Sequence, residues 1–345
     1  MKALFIGGTG TISTAVSRKL LAEGHDLYLL NRGNRKVPGL EGAKLLQADI
    51  NAEEDKVRKL IAEESFDVVA DFIAFTPEQL ERDFRLFQGK TAQFIFVSSA
   101  SAYQKPPMDY LINEGTPLAN PYWEYSRNKQ ACEEYLMKQY REEGFPVTIV
   151  RPSHTYDERT IPLGIHGNKG SWQNVKRMLE GKPVLIHGDG TSLWTMTHNS
   201  DFAKGFVGLM GNIHAIGQAV QITSDETLTW NQIYRTVADA LGVELHAYHV
   251  ASEFLDACSP YDFRGSLLGD KANSVVFDNR KLKRLVPGFV ADTRFDQGVR
   301  ESITYVFSHP ELQVEDPEYD AWCDRVVAAL ERAKQDIREA NGTPL

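Results

Sequence analysis

The stretch "GGTGTIS" at residues 7–13 decides the fold of this chain, because it follows the apolar run "KALFI" at residues 2–6 and opens a helical pattern. A glycine turn between a first strand and a first helix is the phosphate-binding arrangement of dinucleotide-binding sheets. Gly7 permits the tight bend, and Gly10 lets the backbone approach a pyrophosphate at the helix N-terminus. Ser13 takes the third small position, where the helix packs closely on the strand. The turn therefore predicts a dinucleotide site.

Apolar strand patterns alternate with helical patterns through the first half of the chain. The strand patterns are "DLYLLN", "AKLLQADI", "FDVVADFIAF", "QFIFVSS" and "PVTIVRP", and the helical patterns are "SRKLLAEGH", "DKVRKLIAEE", "EQLERDFRLFQ" and "PYWEYSRNKQACEEYLMKQYREEG". Such alternation predicts an α/β fold in which helices cover both faces of a parallel sheet. We therefore expect a Rossmann-type doubly wound domain.

The pattern becomes irregular after residue 152, where loops rich in Gly, Pro and His separate short strands from a few helices such as 230–242 and 320–342. It predicts a smaller α+β substrate lobe over the carboxyl edge of the sheet. The predicted division assigns the nucleotide-binding domain to 1–152 with parts of about 195–225, and the substrate lobe to 153–194 and about 226–345.

Composition excludes several classes of protein. The chain has 345 residues, 42% of them hydrophobic and 25% charged, which is typical of a globular protein. Its formal charge of −9 disfavours nucleic acid as the main partner. No apolar run is long enough for a membrane helix or a signal peptide, so we expect a cytoplasmic protein. The cysteines lack close spacing and His246 and His249 lack further ligands, so no metal is expected. A homodimer is the default expectation.

The end of the second strand bears on the choice of cofactor. A carboxylate there would accept the ribose 2′-hydroxyl of NAD, but this chain has Asn31 and Arg32, with Arg35 and Lys36 nearby. A guanidinium suits a 2′-phosphate, so NADP is favoured, with NAD as the alternative because Arg32 is also explained as a solvated loop residue. The other residues expected at the cofactor from this part of the chain are Thr11, Ile12, Asp49 and Ile50, the last two near the adenine, and Phe72.

The segment "EYSRNK" at residues 124–129 places Tyr125 and Lys129 four residues apart on one helix face. An adjacent ammonium favours the phenolate of a tyrosine, whose reference pKa is about 10, so Tyr125 becomes usable as an acid or base. Lys129 is also expected to hold the nicotinamide ribose. Ser99, just beyond the strand "QFIFV", is expected to hydrogen-bond the same substrate oxygen, with its neighbours at 98 and 101 as alternatives. An accidental helix pair is the competing interpretation.

Three motifs, "GGTGTIS", "VSSASAY" and "YSRNK", occur in an order and spacing that resembles the short-chain dehydrogenase/reductase superfamily. The likeness is to its extended or atypical branch of NAD-dependent epimerases and dehydratases, and it continues through "VRPSHTYD", "GDGTSLWTMTHNSDFA" and "FDNRKLKRLVPGF". The resemblance implies a Ser–Tyr–Lys triad, carried here by Ser99, Tyr125 and Lys129. It also implies hydride transfer to or from a nicotinamide, and it places His154 beside that ring, where the family often has Asn.

The chain departs from this family at the substrate side. Members that act on nucleotide sugars usually carry an arginine after the Gly-Asp-Gly loop, whereas residues 183–203 contain neither Lys nor Arg and have Trp194 near the expected place. Lys176, Arg177 or Arg264 are candidate substitutes for that arginine. The expected substrate is a sugar or nucleotide sugar, with a hydrophobic carbonyl compound as a further alternative.

The missing arginine, together with "LNRG" at the second strand and "ADFIAF" at the fourth, is similar to an atypical branch that includes plant chloroplast stem-loop-binding proteins. The competing hypothesis is therefore a non-catalytic dinucleotide-binding sensor or an RNA-associated protein on the same fold. The retained Ser99, Tyr125 and Lys129 favour an NAD(P)-dependent epimerase, dehydratase or reductase, and so does the acidic balance of the chain.

Overall fold

The computed structural model describes residues 1–342 of the chain. Its strands are β1 Lys2–Ile6, β2 Asp26–Asn31, β3 Lys44–Gln47, β4 Phe66–Asp71, β5 Thr91–Val97, β6 Leu111–Ile112, β7 Val147–Pro152, β8 His154–Tyr156, β9 Val184–His187, β10 Leu193–Trp194, β11 Met196–His198, β12 Gln218–Ile222, β13 Leu228–Thr229, β14 Ala247–Val250 and β15 Val276–Phe277. Its α-helices are α1 Thr11–Ala22, α2 Glu54–Leu60, α3 Pro77–Phe87, α4 Glu124–Glu143, α5 Trp172–Leu179, α6 Asn199–Leu209, α7 Trp230–Leu241, α8 Ser252–Cys258, α9 Arg280–Leu285, α10 Phe295–Ser308 and α11 Pro317–Ala340.

Two compact units share the chain, and each is discontinuous in sequence. The first unit contains Met1–Asp157, Thr195–Thr227 and Asn273–Arg294. The second contains Glu158–Trp194, Leu228–Ala272 and the described residues from Phe295 to 342.

A parallel sheet forms the centre of the first unit. Among the described residues, seven strands pair in the order β12, β7, β5, β4, β1, β2, β3. All of these neighbours are parallel. The order runs outward in both directions from β1 and β4, so a crevice opens at the carboxyl ends of these strands. This topology confirms the predicted doubly wound fold.

Side chains of β1 show why helices must cover both faces of this sheet. Ala3 and Phe5 belong to one buried apolar cluster, and Leu4 and Ile6 belong to a second one. Helices α1 and α6 supply the first cluster, and α2, α3 and α4 supply the second. A strand with period-two side chains that are apolar on both sides is stable only between two helical layers.

The second unit is built from helices and two-stranded ladders. Strand β9 pairs in parallel with β14, and β10 pairs antiparallel with β13. The helices predicted near 230–242 and 320–342 are α7 and α11. Trp322 and Val326 of α11 are buried in the core of this unit, whereas Ile337 near its end is 62% exposed. Within residues 1–342, no helix combines the length and the apolar character that crossing a bilayer requires.

Candidate active site

The glycine turn after β1 adopts a backbone that only glycine accepts easily. Gly7 has φ of 101° and Gly8 has φ of 84°. A Cβ atom on Gly8 would lie 2.4 Å from Cδ2 of Leu29, inside contact distance. Gly8 is therefore required by both conformation and space, and the sequence analysis, which stressed Gly7 and Gly10, did not identify it.

The N-terminus of α1 is shaped for an anion. The backbone N–H of Gly10 donates to Oγ of Ser13 at 2.8 Å, and Oγ of Ser17 donates to the carbonyl of Gly8 at 3.0 Å. These bonds fix the turn, while the first N–H groups of a helix have no partner within that helix. A Cβ on Gly10 would meet only Oγ of Ser13, at 3.5 Å, so its missing side chain leaves room above the helix end. This geometry fits a pyrophosphate.

A pocket of about 600 Å³ lies at the carboxyl ends of the first five strands. Most of the residues expected at the cofactor line it: Gly7, Gly10, Thr11, Ile12, Asn31, Arg32, Asp49, Ile50 and Phe72. Lys129 and His154 are not among the lining residues. His154 lies half-buried on β8, opposite Met196 of β11. The pocket has the volume expected of a cofactor site.

The end of β2 has an amide where a carboxylate would bind a ribose. Nδ2 of Asn31 donates to the carbonyl of Gly7 at 3.1 Å, and its Oδ1 accepts the N–H of Gly33 at 2.8 Å. The side chain of Asn31 thus ties β2 to the glycine turn. Arg32 and Arg35, both exposed, line the same part of the pocket.

Lys129 lies directly behind the pocket wall. Its Nζ donates to the carbonyl of Ala74 at 2.7 Å and to the carbonyl of Val97 at 2.8 Å. The ring centroids of Phe75 and Phe96 are 4.6 and 4.7 Å from Nζ. Burial lowers the pKa of Lys129 to about 8. Because Val97 and Phe75 line the pocket, this ammonium contacts the wall of the cofactor site.

Tyr125 packs beside the same wall. Its ring centroid lies 6.1 Å from that of Phe75 and 5.1 Å from that of Trp123. The ammonium of Lys129 is 5.8 Å from the Tyr125 ring centroid. The expected pairing of these two side chains on one face of α4 is therefore present, since α4 begins at Glu124 and carries both residues in its first two turns.

A chain of three hydroxyls, which we call the serine chain, extends from the end of β5 to α4. Oγ of Ser126 donates to Oγ of Ser101 at 2.8 Å, and Oγ of Ser101 lies 2.9 Å from Oγ of Ser99. Ser126 directly follows Tyr125, so the chain brings Ser99 to the start of α4. In contrast, Oγ of the buried Ser98 donates to Glu133 at 2.5 Å and is committed to that carboxylate.

A buried ion pair fixes α4 against the sheet. Nη2 of Arg151 on β7 lies 2.6 Å from Oε2 of Glu133 on α4, and both side chains are nearly inaccessible. Nε of Arg151 also donates to the same carboxylate, at 3.0 and 3.2 Å. Burial opposes the charge of Arg151, but the bonds to Glu133 raise its pKa above the ordinary value. Glu133 lies one turn beyond Lys129, so the pair sets the register of the helix that carries Tyr125 and Lys129.

Comparison with known proteins identifies the family of this chain. The sequence profile of the NAD dependent epimerase/dehydratase family matches residues 3–222, more than half of the chain. The chain belongs to this family. The matched region contains the glycine turn, the residues that line the pocket, and α4. The match agrees with the resemblance inferred from the three motifs.

Two relatives of known name are similar to most of this chain. A 2'-dehydrokanamycin reductase from Streptomyces kanamyceticus is 26% identical over 289 residues, which cover 84% of this chain and 80% of that protein. The chloroplast stem-loop binding protein of 41 kDa b from Arabidopsis thaliana is 27% identical over 253 residues, covering 70% of this chain and 63% of that protein. These relatives confirm the predicted likeness to the atypical branch.

Solved structures of the epimerase/dehydratase type share the fold. UDP-glucuronic acid 4-epimerase from Bacillus cereus, in complex with UDP-glucuronic acid and NAD, superposes with a TM-score of 0.70 at 18% identity, covering 89% of this chain and 99% of that one. dTDP-glucose 4,6-dehydratase from Bacillus anthracis, in complex with NAD, gives 0.71 at 18% identity, covering 90% and 98%. Together with the family assignment, the relatives indicate an NAD-dependent enzyme of the oxidoreductase or epimerase type.

In the second unit, carboxylates hold Arg177 and Lys176, which are two of the three basic residues considered as substitutes for the family's arginine. Arg177 is fully buried, and its guanidinium lies 2.6 Å from Asp320 and 2.8 Å from Asp324. Lys176 lies 2.7 Å from Glu315. The indole of Trp194 is buried 5.5 Å from that of Trp230. Arg264 is 3.8 Å from Asp256. A diphosphate would have to displace a carboxylate to reach Arg177.

Proposed function

We propose that the chain is an NAD(P)-dependent oxidoreductase that transfers hydride to or from a sugar carbon, with Tyr125 as the acid–base. This proposal rests on one observation: Tyr125 and Lys129 of α4 pack against residues that also line the dinucleotide pocket. Phe75 and Val97 line the dinucleotide pocket, and both contact Lys129. The Tyr125 ring packs on Phe75 as well. An ionisable phenol and an ammonium therefore border the place where a dinucleotide would bind.

Each group in this site has a distinct role in the proposed reaction. The nicotinamide supplies the hydride acceptor or donor. The glycine turn and the first N–H groups of α1 hold the pyrophosphate. Tyr125 accepts or donates the proton of the substrate oxygen at its Oη. Lys129, buried behind Phe75 and Val97, favours the phenolate of Tyr125 through its positive charge, which lies 5.8 Å from the centroid of the Tyr125 ring.

The serine chain assists at the same oxygen. Because Ser126 donates to Ser101, the hydroxyl of Ser101 can pass its own hydrogen toward Ser99. Oγ of Ser99 also accepts the backbone N–H of Ser101 at 3.2 Å. When the Ser101 hydroxyl is the donor of this pair, Ser99 accepts two hydrogens and its own proton is available for a substrate oxygen. This directionality supports Ser99 as the third member of the triad.

A sugar without a nucleotide is the substrate class that the second unit supports best. The segment 183–203 offers no cation, and Arg177 is committed to two carboxylates. One relative, aligned over 84% of this chain and 80% of its own length, is named as a reductase of 2'-dehydrokanamycin, not of a nucleotide sugar. With Arg177 held by carboxylates, the strong bidentate contacts that a diphosphate needs would have to come from the exposed Arg264, which lies outside this segment.

The substrate assignment is tested by following the absorbance of NADH and NADPH with two panels of compounds. One panel contains free glycosides that carry a ring ketone, and the other contains matching ketones linked to nucleoside diphosphates. We expect turnover with members of the first panel and little with the second. Turnover confined to the nucleotide-linked panel contradicts the proposed substrate class, and oxidation of neither nucleotide by any member contradicts the proposed reaction.

Arg32 is proposed to select NADP. We expect Arg32→Ala to weaken NADP binding about 10- to 100-fold, because a charge-assisted bond to a phosphate is worth roughly 1.5–3 kcal/mol. NAD, which lacks the 2′-phosphate, should bind the variant nearly as it binds the original protein. Calorimetric titration of both nucleotides measures this difference.

Arg58→Ala serves as the matched control for that experiment. Arg58 is an arginine of the same unit that pairs with Glu54 on α2 and does not line the pocket. Its replacement should change neither nucleotide's affinity. Equal losses of NAD and NADP in Arg32→Ala, or no loss of either, rule out Arg32 as the selecting residue.

The similarity to a stem-loop binding protein supports the alternative of an RNA-associated or sensor protein. The pair of Tyr125 and Lys129 behind the pocket wall supports the enzyme, since dinucleotide binding alone does not require a phenol there. The net charge of −9 also disfavours RNA. Turnover in the substrate panels distinguishes the two functions directly.

A further inference from the structure

A pair of buried carboxyl groups lies behind the pocket wall, and the reaction described above does not use it. Asp71 ends β4 and Asp83 lies on α3, and both are fully inaccessible. Nη2 of Arg82 lies 2.7 Å from Oδ1 of Asp83 and 3.9 Å from Oδ2 of Asp71. Two carboxyls thus share one guanidinium in a dry environment. We call Asp71 and Asp83 the acid pair.

The hydrogen bonds of the acid pair are incomplete unless a proton joins them. Oδ1 of Asp71 accepts the N–H groups of Ile73 at 2.6 Å and Ala74 at 2.9 Å. Oδ1 of Asp83 accepts from Nε and Nη2 of Arg82. The two remaining oxygens, both Oδ2, are buried without a donor. Burial and the neighbouring Asp71 raise the pKa of Asp83 well above its usual range. A proton held between the two carboxyl groups would supply the missing donor.

The acid pair is connected to Lys129 through one loop. Asp71 holds the backbone N–H of Ala74, and the carbonyl of Ala74 accepts from Lys129 at 2.7 Å. Burial lowers the pKa of Lys129, whereas the ionisable groups that face it, Cys132, Asp71 and Glu133, act in the opposite direction. Asp83 is bonded instead to the guanidinium of Arg82 and has no bond to the loop that holds Lys129. Moving the negative charge from Asp71 to Asp83 is therefore expected to change the pKa of Lys129.

The other side of the cluster reaches the pocket lining. Nη1 of Arg82 donates to Oδ1 of Asn51 at 2.6 Å, and Nε2 of Gln79 donates to the same oxygen at 3.2 Å. Asn51 and Gln79 both line the pocket, and Oε1 of Gln79 accepts the N–H of Phe75 at 2.6 Å. The cluster is thus part of the frame of the cofactor site.

We propose that Asp71 and Asp83 share one proton, and that the single negative charge they retain keeps Lys129 in its ammonium form. Asp71 is then a positioning residue that acts through Lys129, and Asp83 stores the proton that prevents two buried charges from repelling each other. The catalytic meaning of this arrangement rests on the proposed function. The shared proton and its effect on Lys129 do not, because both are properties of the protein without substrate.

Two isosteric variants, Asp71→Asn and Asp83→Asn, separate the two positions of the charge. The probe is protein labelled with ¹³C at lysine Cε, titrated by nuclear magnetic resonance, with the Lys129 signal assigned by its loss in Lys129→Met. In Asp71→Asn the charge must reside on Asp83, so we expect the Lys129 midpoint to fall by about one pH unit. In Asp83→Asn the charge must reside on Asp71, so the midpoint should not fall.

The infrared spectrum of the unaltered protein provides a test that does not depend on a variant's folding. At neutral pH we expect the carbonyl stretching band of a protonated carboxylic acid, which disappears in each single Asn variant. Absence of that band in the original protein, or equal Lys129 midpoints in the two variants, overturns the proposal. If instead Tyr125→Phe retains full turnover, the proposed function fails while the shared proton stands.

Discussion

Replacing Tyr125 with phenylalanine is expected to lower turnover at least about 100-fold while leaving dinucleotide affinity nearly unchanged. The change removes one oxygen and keeps the ring, which packs against Phe75 and Trp123. The pocket wall therefore keeps its shape, and only the proton transfer is lost. Steady-state rates on a ketone accepted in the substrate panels, together with a titration of NAD or NADP, measure the two quantities separately.

Tyr135→Phe is the matched control for this substitution. Tyr135 lies on the same helix α4, and it packs against the apolar cluster of the sheet instead of the pocket. Loss of its hydroxyl should leave turnover within a few-fold of the original. If both tyrosine variants lose activity equally, the loss reflects damage to α4, and if Tyr125→Phe is fully active, Tyr125 has no part in the chemistry.

Replacing Arg151 with alanine is expected to destabilise the protein by about 3–5 kcal/mol. The change leaves the carboxylate of Glu133, whose side chain is 5% exposed, without its guanidinium. Ser98 alone then remains as a side-chain donor to that carboxylate. A buried charge without a partner costs far more than the pair contributes, because it must be desolvated alone. Denaturant unfolding monitored by circular dichroism measures the loss.

Two comparisons make this stability prediction specific. Arg58→Ala removes an exposed guanidinium from an ion pair on α2 and should cost no more than about 1 kcal/mol. The double variant Arg151→Met with Glu133→Leu removes both charges and should recover much of the stability lost in Arg151→Ala. A double variant as unstable as Arg151→Ala means that packing, not the unpaired charge, causes the loss.

Much of the nucleotide-binding half was predictable because its signals are local. Strands β1 and β2 coincide with the apolar runs "KALFI" and "DLYLLN", and α4 begins within the predicted helix. Period-two and helical patterns are properties of neighbouring residues, so they can be recognised in the sequence without knowledge of the fold. The glycine turn marks the carboxyl end of β1 as the binding edge of the sheet. Residues at the ends of the neighbouring strands could therefore be assigned to the same site, and nine of the expected cofactor residues line one pocket.

The rest of the candidate site depends on contacts between distant residues. Asp71 and Asp83 meet only because β4 and α3 pack together. Nothing in "FDVVADFIAF" indicates that Asp71 is buried beside a second carboxyl group. The need for Gly8 arises from Leu29 on the neighbouring strand. One signal was available in the sequence: an aspartate at the end of an otherwise apolar strand pattern is costly to bury and so points to a function. The triad, the NADP preference, the homodimer and the cytoplasmic location stay predictions.

The discontinuous first unit has a consequence for how the protein is made. Its central sheet needs β12, which comes after Glu158–Trp194 of the other unit has been synthesised, and its compact body also includes Asn273–Arg294. During translation β7 must wait for this edge strand while the 65 residues from 153 to 217 emerge from the ribosome. Gene fragments that stop near residue 157 would therefore expose β7 as an unpaired edge, which favours aggregation. Expression of the nucleotide-binding unit alone calls for a spliced gene that joins its three segments.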